Sequence, residues 1–166
     1  MPVKVTAFRF LVVFVLTIGL AACGFRLAGT SNLPQNLSSM VLLASNLDRQ
    51  QQDVLRRQLT RAGAELKNQD DLEAVRLKIS LQAVADRRLV SSASDGKSVE
   101  RLTRSLDFSL SSASGEVLVP TRTLTQQKNI VLDDDNLLAS GRERASVLED
   151  LEQALFEQLI RQLNRI

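Results

Sequence analysis

Val75-Arg76-Leu77-Lys78-Ile79-Ser80-Leu81-Gln82-Ala83-Val84-Ala85 is the stretch on which the fold turns. Val75, Leu77, Ile79, Leu81, Ala83 and Ala85 alternate with Arg76, Lys78, Ser80 and Gln82. Successive side chains of a strand point to opposite faces, so this spacing predicts a strand with one apolar face, running on to Ser92. Ser94-Asp95-Gly96-Lys97 follows, and Asp-Gly favours a two-residue hairpin turn. A Ser94–Lys97 pair then sets a register. Leu89 faces Leu102, Ala85 faces Leu106, Ala83 faces Phe108 and Leu81 faces Leu110. All eight are apolar and share one face, whereas a slip of one residue would separate them.

Beyond the hairpin, Ser114-Gly115 predicts a second turn into a strand at about 116–132. Its alternation is weak, and Pro120 lacks a ladder donor, which suits an edge or a bulge. Asp133-Asp134-Asp135-Asn136 breaks this strand. It reads as an acidic loop, because the spaced ligands and closing Glu of a calcium loop are missing. From Ser140 the chain turns helical. Leu148, Leu151, Leu155, Leu159 and Leu163 recur at helical spacing through Arg142–Asn164. On the amino-terminal side, Met40–Ala44 is a short buried strand. Asn46 is a candidate N-cap for a helix carrying Val54, Leu55, Leu59 and Ala62, with Gly63 closing it. The other face of that helix, Arg49, Gln52, Asp53, Arg56, Arg57 and Arg61, reads as solvated. Before it, 23–37 is an extended tether. The order β-α-β-β-β-α predicts an α+β two-layer sandwich: a mixed four-stranded sheet with two helices on one face, formed by residues 38–166.

Residues 1–22 have the order of a cleaved secretory signal. Lys4 and Arg9 precede the apolar run Phe10–Leu20, and small Ala21 and Ala22 lead to Cys23. The run falls short of the ~20 residues that span a bilayer. Leu20-Ala21-Ala22-Cys23 is similar to the lipobox of bacterial lipoproteins, in which the cysteine is acylated and becomes the first residue. That likeness implies lipid anchoring at Cys23. Gly24 stands where an Asp would favour inner-membrane retention, which points to the outer membrane with the domain facing the periplasm.

Removing the signal changes the charge. The whole chain has 21 Lys and Arg against 19 Asp and Glu. Without Lys4 and Arg9 the balance is even, so the basic character belongs to the signal and is no nucleic-acid footprint. Phe25, Phe108 and Phe156 are the aromatics left, too few for a base-stacking surface. The chain has no His, and its one Cys is assigned to lipid. Cysteine or histidine catalysis, zinc ligation and a phosphate-cradling glycine loop all lack their residues. The expectation is a non-enzyme with no cofactor and no metal.

The binding candidates cluster near the hairpin tip: Arg87, Arg88, Lys97, Arg101 and Arg104. Extended strands of this length outrun the helix layer. In the register above, Arg87 lies opposite Arg104. A like-charge cross-strand pair is unfavourable, and a phosphate between two guanidinium forks reverses the sign. The expected ligand is a phosphorylated amphiphile with its sugar or acyl surface on the Leu89/Leu102 row; the alternative is a basic tip that is simply solvated, or paired with Asp86 and Glu100.

The chain resembles the lipopolysaccharide (LPS)-assembly lipoprotein family LptE. The resemblance rests on Cys23-Gly24-Phe25-Arg26-Leu27, Leu33-Pro34, the Val41-Leu42-Leu43 strand, the Arg57/Leu59 helix, the hairpin with Gly96 and Glu100, and the closing Glu157-Gln158-Leu159-Ile160-Arg161-Gln162-Leu163. It implies an outer-membrane lipoprotein that plugs the β-barrel LptD in a one-to-one complex and helps deliver LPS, binding it through basic residues. Family members carry basic residues near the hairpin turn and just before the last helix. Ser94 and Ser140 stand there in this chain, and Lys97 and Arg142, close by, are the binding candidates that would take their place. Two other readings predict different partners: an auxiliary lipoprotein of a lipid transporter, and a peptidoglycan-associated lipoprotein.

Overall fold

The computed structural model describes residues 33–92 and 96–166. The signal segment, Cys23, most of the tether, and Ser94 and Asp95 of the turn lie outside the described residues. The fold is mixed α+β. Strand β1 (Ser39–Ser45) leads to helix α1 (Arg49–Arg61), and β2 (Glu65–Leu66), β3 (Val75–Leu81), β4 (Ala85–Ser92), β5 (Lys97–Ser111) and β6 (Val117–Asp133) follow; helix α2 (Leu137–Leu163) closes the chain. The sheet has six strands where four were expected. Two come from features that alternation does not show. Glu65-Leu66 makes a two-residue parallel pairing with β1. The strand expected from Val75 to Ser92 is two strands, interrupted at Gln82–Val84.

β5 is the spine. β3 and β4 pair with successive halves of one of its edges, and β6 pairs along nearly all of the other. β1 pairs parallel with β3, as a crossover through a helix requires. The hairpin register is corrected. Leu77 faces Leu110, Ile79 faces Phe108 and Leu81 faces Leu106. Arg87 faces Arg101, and Ser92, rather than Ser94, is the last residue before the loop to pair with Lys97. The loop is longer than a two-residue turn, a bulge falls between Arg88 and Val90, and the strand breaks at Gln82–Val84. Each absorbs residues, so the real register lags the simple one.

Helix α1 begins with a capping box. The Gln51 amide donates to Asp48 Oδ1 (2.8 Å), and the Asp48 amide donates to Gln51 Oε1 (2.9 Å). Two orphan amides of the first turn are thereby satisfied. Asp48 is the cap, two residues beyond the expected Asn46, which instead takes a left-handed φ of 59°. Gly63 ends the helix at φ 93° with its amide on the Thr60 carbonyl, as expected of a C′ glycine. Asn136 caps α2 through the Ala139 amide, so this helix starts earlier than expected, just beyond the end of β6. The expected edge character of β6 is present: its register shifts beside Pro120, between the Val119 and Arg122 pairings.

Both helices share one apolar core with the sheet. Leu55 and Leu59 of α1 and Leu155, Phe156, Leu159 and Leu163 of α2 cluster with Met40, Leu77, Ile79, Leu106, Phe108 and Leu110. A smaller cluster of Leu102, Ile130, Leu132, Val147 and Leu151 continues it toward the hairpin tip. The helix layer therefore reaches the tip, contrary to the expected overhang. There Ser140, where a basic residue was sought, is buried and donates to the Asp133 carbonyl (2.9 Å). The loop into β3 is fixed by Asp71, whose carboxylate accepts the amides of Glu73 and Ala74 at 2.9 and 3.0 Å. These two bonds hold its carboxyl below the usual carboxylate range.

Candidate functional site

The candidate residues lie on β4 (Arg87, Arg88), on β5 (Lys97, Arg101, Arg104) and near the start of α2 (Arg142), and the two faces of the sheet differ there. Directly opposed residues of an antiparallel pair share a face. Asp86 opposite Leu102 and Arg88 opposite Glu100 therefore face the helices, while Arg87 opposite Arg101 faces away.

The inward face is an ion-pair clasp. Glu100 is nearly buried, its side chain 12% exposed. Its carboxylate accepts from Arg144 Nη1 of α2 (2.6 Å) and from Arg88 Nη2 (3.5 Å). Arg144 also pairs with Asp86, so one guanidinium ties α2 to both β4 and β5. Further down, Arg104 donates from Nε to Glu152 Oε1 (3.0 Å) and from Nη1 to the Gln82 carbonyl (2.5 Å). Gln51 of α1 donates to the other oxygen of Glu152 (2.8 Å). Arg104 thus serves packing: it joins the broken strand to α2, and through Glu152 to α1.

The expected Arg87–Arg104 phosphate clamp does not form, because the two residues lie on opposite faces of the sheet. The Leu89/Leu102 row does not form either. Leu89 sits at the bulge, and Leu102 is buried opposite Asp86. Between bulge and break the strand is offset by an odd number of residues from simple alternation, which exchanges its faces.

The exchange assembles a different outward surface. Arg87, Arg101 and Asn129 stand side by side across β4, β5 and β6, with Arg101 Nε donating to Asn129 Oδ1 (3.0 Å). The next outward row toward the tip is Val90, Val99 and Val131. Val90 is 59% exposed and Val131 55%. A like-charged arginine pair beside an exposed apolar row suits an anionic amphiphile: the guanidiniums take the anion and the valines take hydrocarbon. Lys97 is exposed at the tip opposite Asp133, and Arg142 is exposed near the start of α2. The described residues hold no group of acidic, His or Cys side chains that could bind a metal, and no helix among them is long and apolar enough to cross a membrane.

Sequence reasoning missed Arg144 and Asn129. Glu100 carried a usable signal for the first. It occupies an inward position of β5, in line with Leu102, Leu106, Phe108 and Leu110, where a carboxylate requires a buried cation. Asn129 carried none, since the weak alternation of β6 does not fix its register.

The six-stranded mixed sheet and the two helices that share its core define a small two-layer α+β domain. The structure is similar to a minor lipoprotein from Acinetobacter baumannii at TM-score 0.59 and 20% identity, covering 78% of this chain and 92% of that one. It is similar to the rare lipoprotein B from Shewanella oneidensis at TM-score 0.62 and 12% identity, covering 75% and 92%. It is also similar to a lipoprotein B from Nitrosomonas europaea at TM-score 0.60 and 20% identity, covering 85% and 90%. At these identities the likeness speaks for the fold. No curated protein matches the chain in sequence. The family model described as LptE, lipopolysaccharide-assembly, matches residues 33–163. The chain belongs to that family.

Proposed function

We propose that the protein is an outer-membrane lipoprotein, anchored through acyl groups on Cys23 and facing the periplasm. In this reading it forms the plug of an LptD-type β-barrel in a one-to-one complex and assists LPS assembly without catalysis. The observation that carries it is the span of the family match. Residues 33–163 take in the whole of both apolar clusters, from Leu33 to Leu163. The resemblance therefore concerns a complete folded unit with its own core.

The outward Arg87/Arg101 pair and the Val90, Val99 and Val131 row supply a contact for LPS, whose phosphates and acyl chains match the two rows. This surface replaces the clamp expected from the sequence and keeps its chemistry. A mild-detergent pull-down of the mature lipoprotein tests the assignment. The expected result is a large outer-membrane barrel at equal stoichiometry. Copurification of transporter subunits, or retention on murein sacculi without a barrel, overturns it.

A further inference from the structure

We infer that the arginine face of α1 is a docking surface for anionic phospholipid headgroups. Arg49, Asp53, Arg57 and Arg61 recur every four residues on the side of α1 opposite buried Leu55 and Leu59, and Arg56 flanks them. All five are exposed. Among the described residues none of the four arginines forms an ion pair, although Asp53 lies within the row. Four cations against one anion stand on one helix face of a mature chain whose total charge is even. The core does not explain this face, and neither does the outward surface of the hairpin.

The position of the chain's entry into the domain gives the face its partner. The Leu33 amide donates to the Ala62 carbonyl (2.8 Å), one residue beyond Arg61. Leu33 is therefore fixed at the carboxyl end of the arginine row. Cys23 precedes it by ten residues, which span at most ~35 Å when fully extended. A lipid at Cys23 thus keeps this end of α1 within that distance of the bilayer, while the hairpin tip lies at the far end of β4 and β5. The guanidinium forks match phosphodiester oxygens, and each basic residue near an anionic surface strengthens binding measurably. The inference uses the lipid-anchor reading for orientation and is independent of the barrel. On it, α1 lays the tethered domain against the periplasmic leaflet while the domain is free of the barrel.

The test uses residues 23–166 with Cys23→Ser, which retain the whole core, in sedimentation with vesicles at near-physiological salt. Vesicles of phosphatidylglycerol and phosphatidylcholine are compared with phosphatidylcholine alone. Binding is expected to the anionic vesicles only. It should fall about tenfold when Arg57→Gln and Arg61→Gln are combined. Lys78→Gln with Arg122→Gln removes the same charge from two other exposed positions and should leave binding within about twofold. Equal losses in both double variants, or equal binding to neutral vesicles, overturn the inference. So does inorganic phosphate saturating the face at millimolar concentration, which would mark a small-anion site. Acylation plays no part in this assay, and the barrel pull-down is scored separately, so failure here is distinct from failure of the plug assignment.

Discussion

The two halves of β5 are held by different forces. From Leu106 to Ser111 the strand lies between β3 and β6, and its inward residues Leu106, Phe108 and Leu110 are buried in the main core. From Lys97 to Thr103 it lies between β4 and β6, and its inward residues are Ser98, Glu100 and Leu102. Ser98 donates to Asp134 Oδ1 (2.9 Å), Glu100 is clasped by two arginines, and Leu102 joins the smaller cluster. Apolar burial is non-directional and sets the stability of the lower half. Ion pairs are directional and nearly neutral in net energy, so they set the geometry of the upper half more than its stability. A single strand thus runs from a fold-defining segment into a surface-presenting one.

Core and clasp should respond differently to truncation. Phe108→Ala empties a site 1% exposed and should cost about 3–5 kcal/mol, measured by chemical denaturation. Arg104→Ala leaves Glu152 with Gln51 alone and should cost about 2–3 kcal/mol, since the pair is only 11% and 13% exposed. Arg144→Ala should cost less, about 1–2 kcal/mol, because Arg88 still faces Glu100 and Asp86 is largely exposed. Its clearer sign is local: amide exchange should accelerate in β4 and the upper half of β5 before β3 responds. Uniform acceleration would mean that the two halves form one cooperative unit.

Arg87→Gln with Arg101→Gln should leave the melting temperature unchanged or slightly raised, because two like charges are removed from opposed positions. LPS affinity by direct titration should fall about tenfold, and unchanged affinity would discard the outward surface as a contact. The smallest effect concerns pH. The folded Asp71 carboxyl titrates below its ordinary value of 3.8 because two backbone amides bond its ionised form. Its stabilising contribution is present above the unfolded pKa and is lost as pH falls through the folded one. An NMR titration of Asp71 should give a midpoint below 3.8, and Asp71→Asn should flatten that part of the acid limb.

The same contrast explains what could be read in advance. Period-two burial wrote β3 and the lower half of β5 plainly, and Gly63 and the leucine stripe wrote the helices. The error lay in counting residues between them. Ala83 and Ala85 continue the alternation of β3, yet the chain leaves the ladder at Gln82–Val84, and small apolar residues give no sign of such a break. Loop, bulge and break together shift the lower register by an even number, so the apolar faces still met. Between bulge and break the shift is odd, and the basic residues changed sides. Parity errors are invisible where both faces are polar, and that is where the candidate site lies.

Pro120 gains a meaning from this layout. β6 runs for 17 residues with β5 as its only partner among the described strands. Val117-Leu118-Val119 leads into the proline, and Val117 and Leu118 are exposed. A long free edge beginning in three β-favouring apolar residues is a template on which a second chain could lay itself down. The proline removes a ladder donor, and the adjoining bulge spoils the repeat distance over the stretch most inclined to pair. The sheet can thus keep an open margin without polymerising along it.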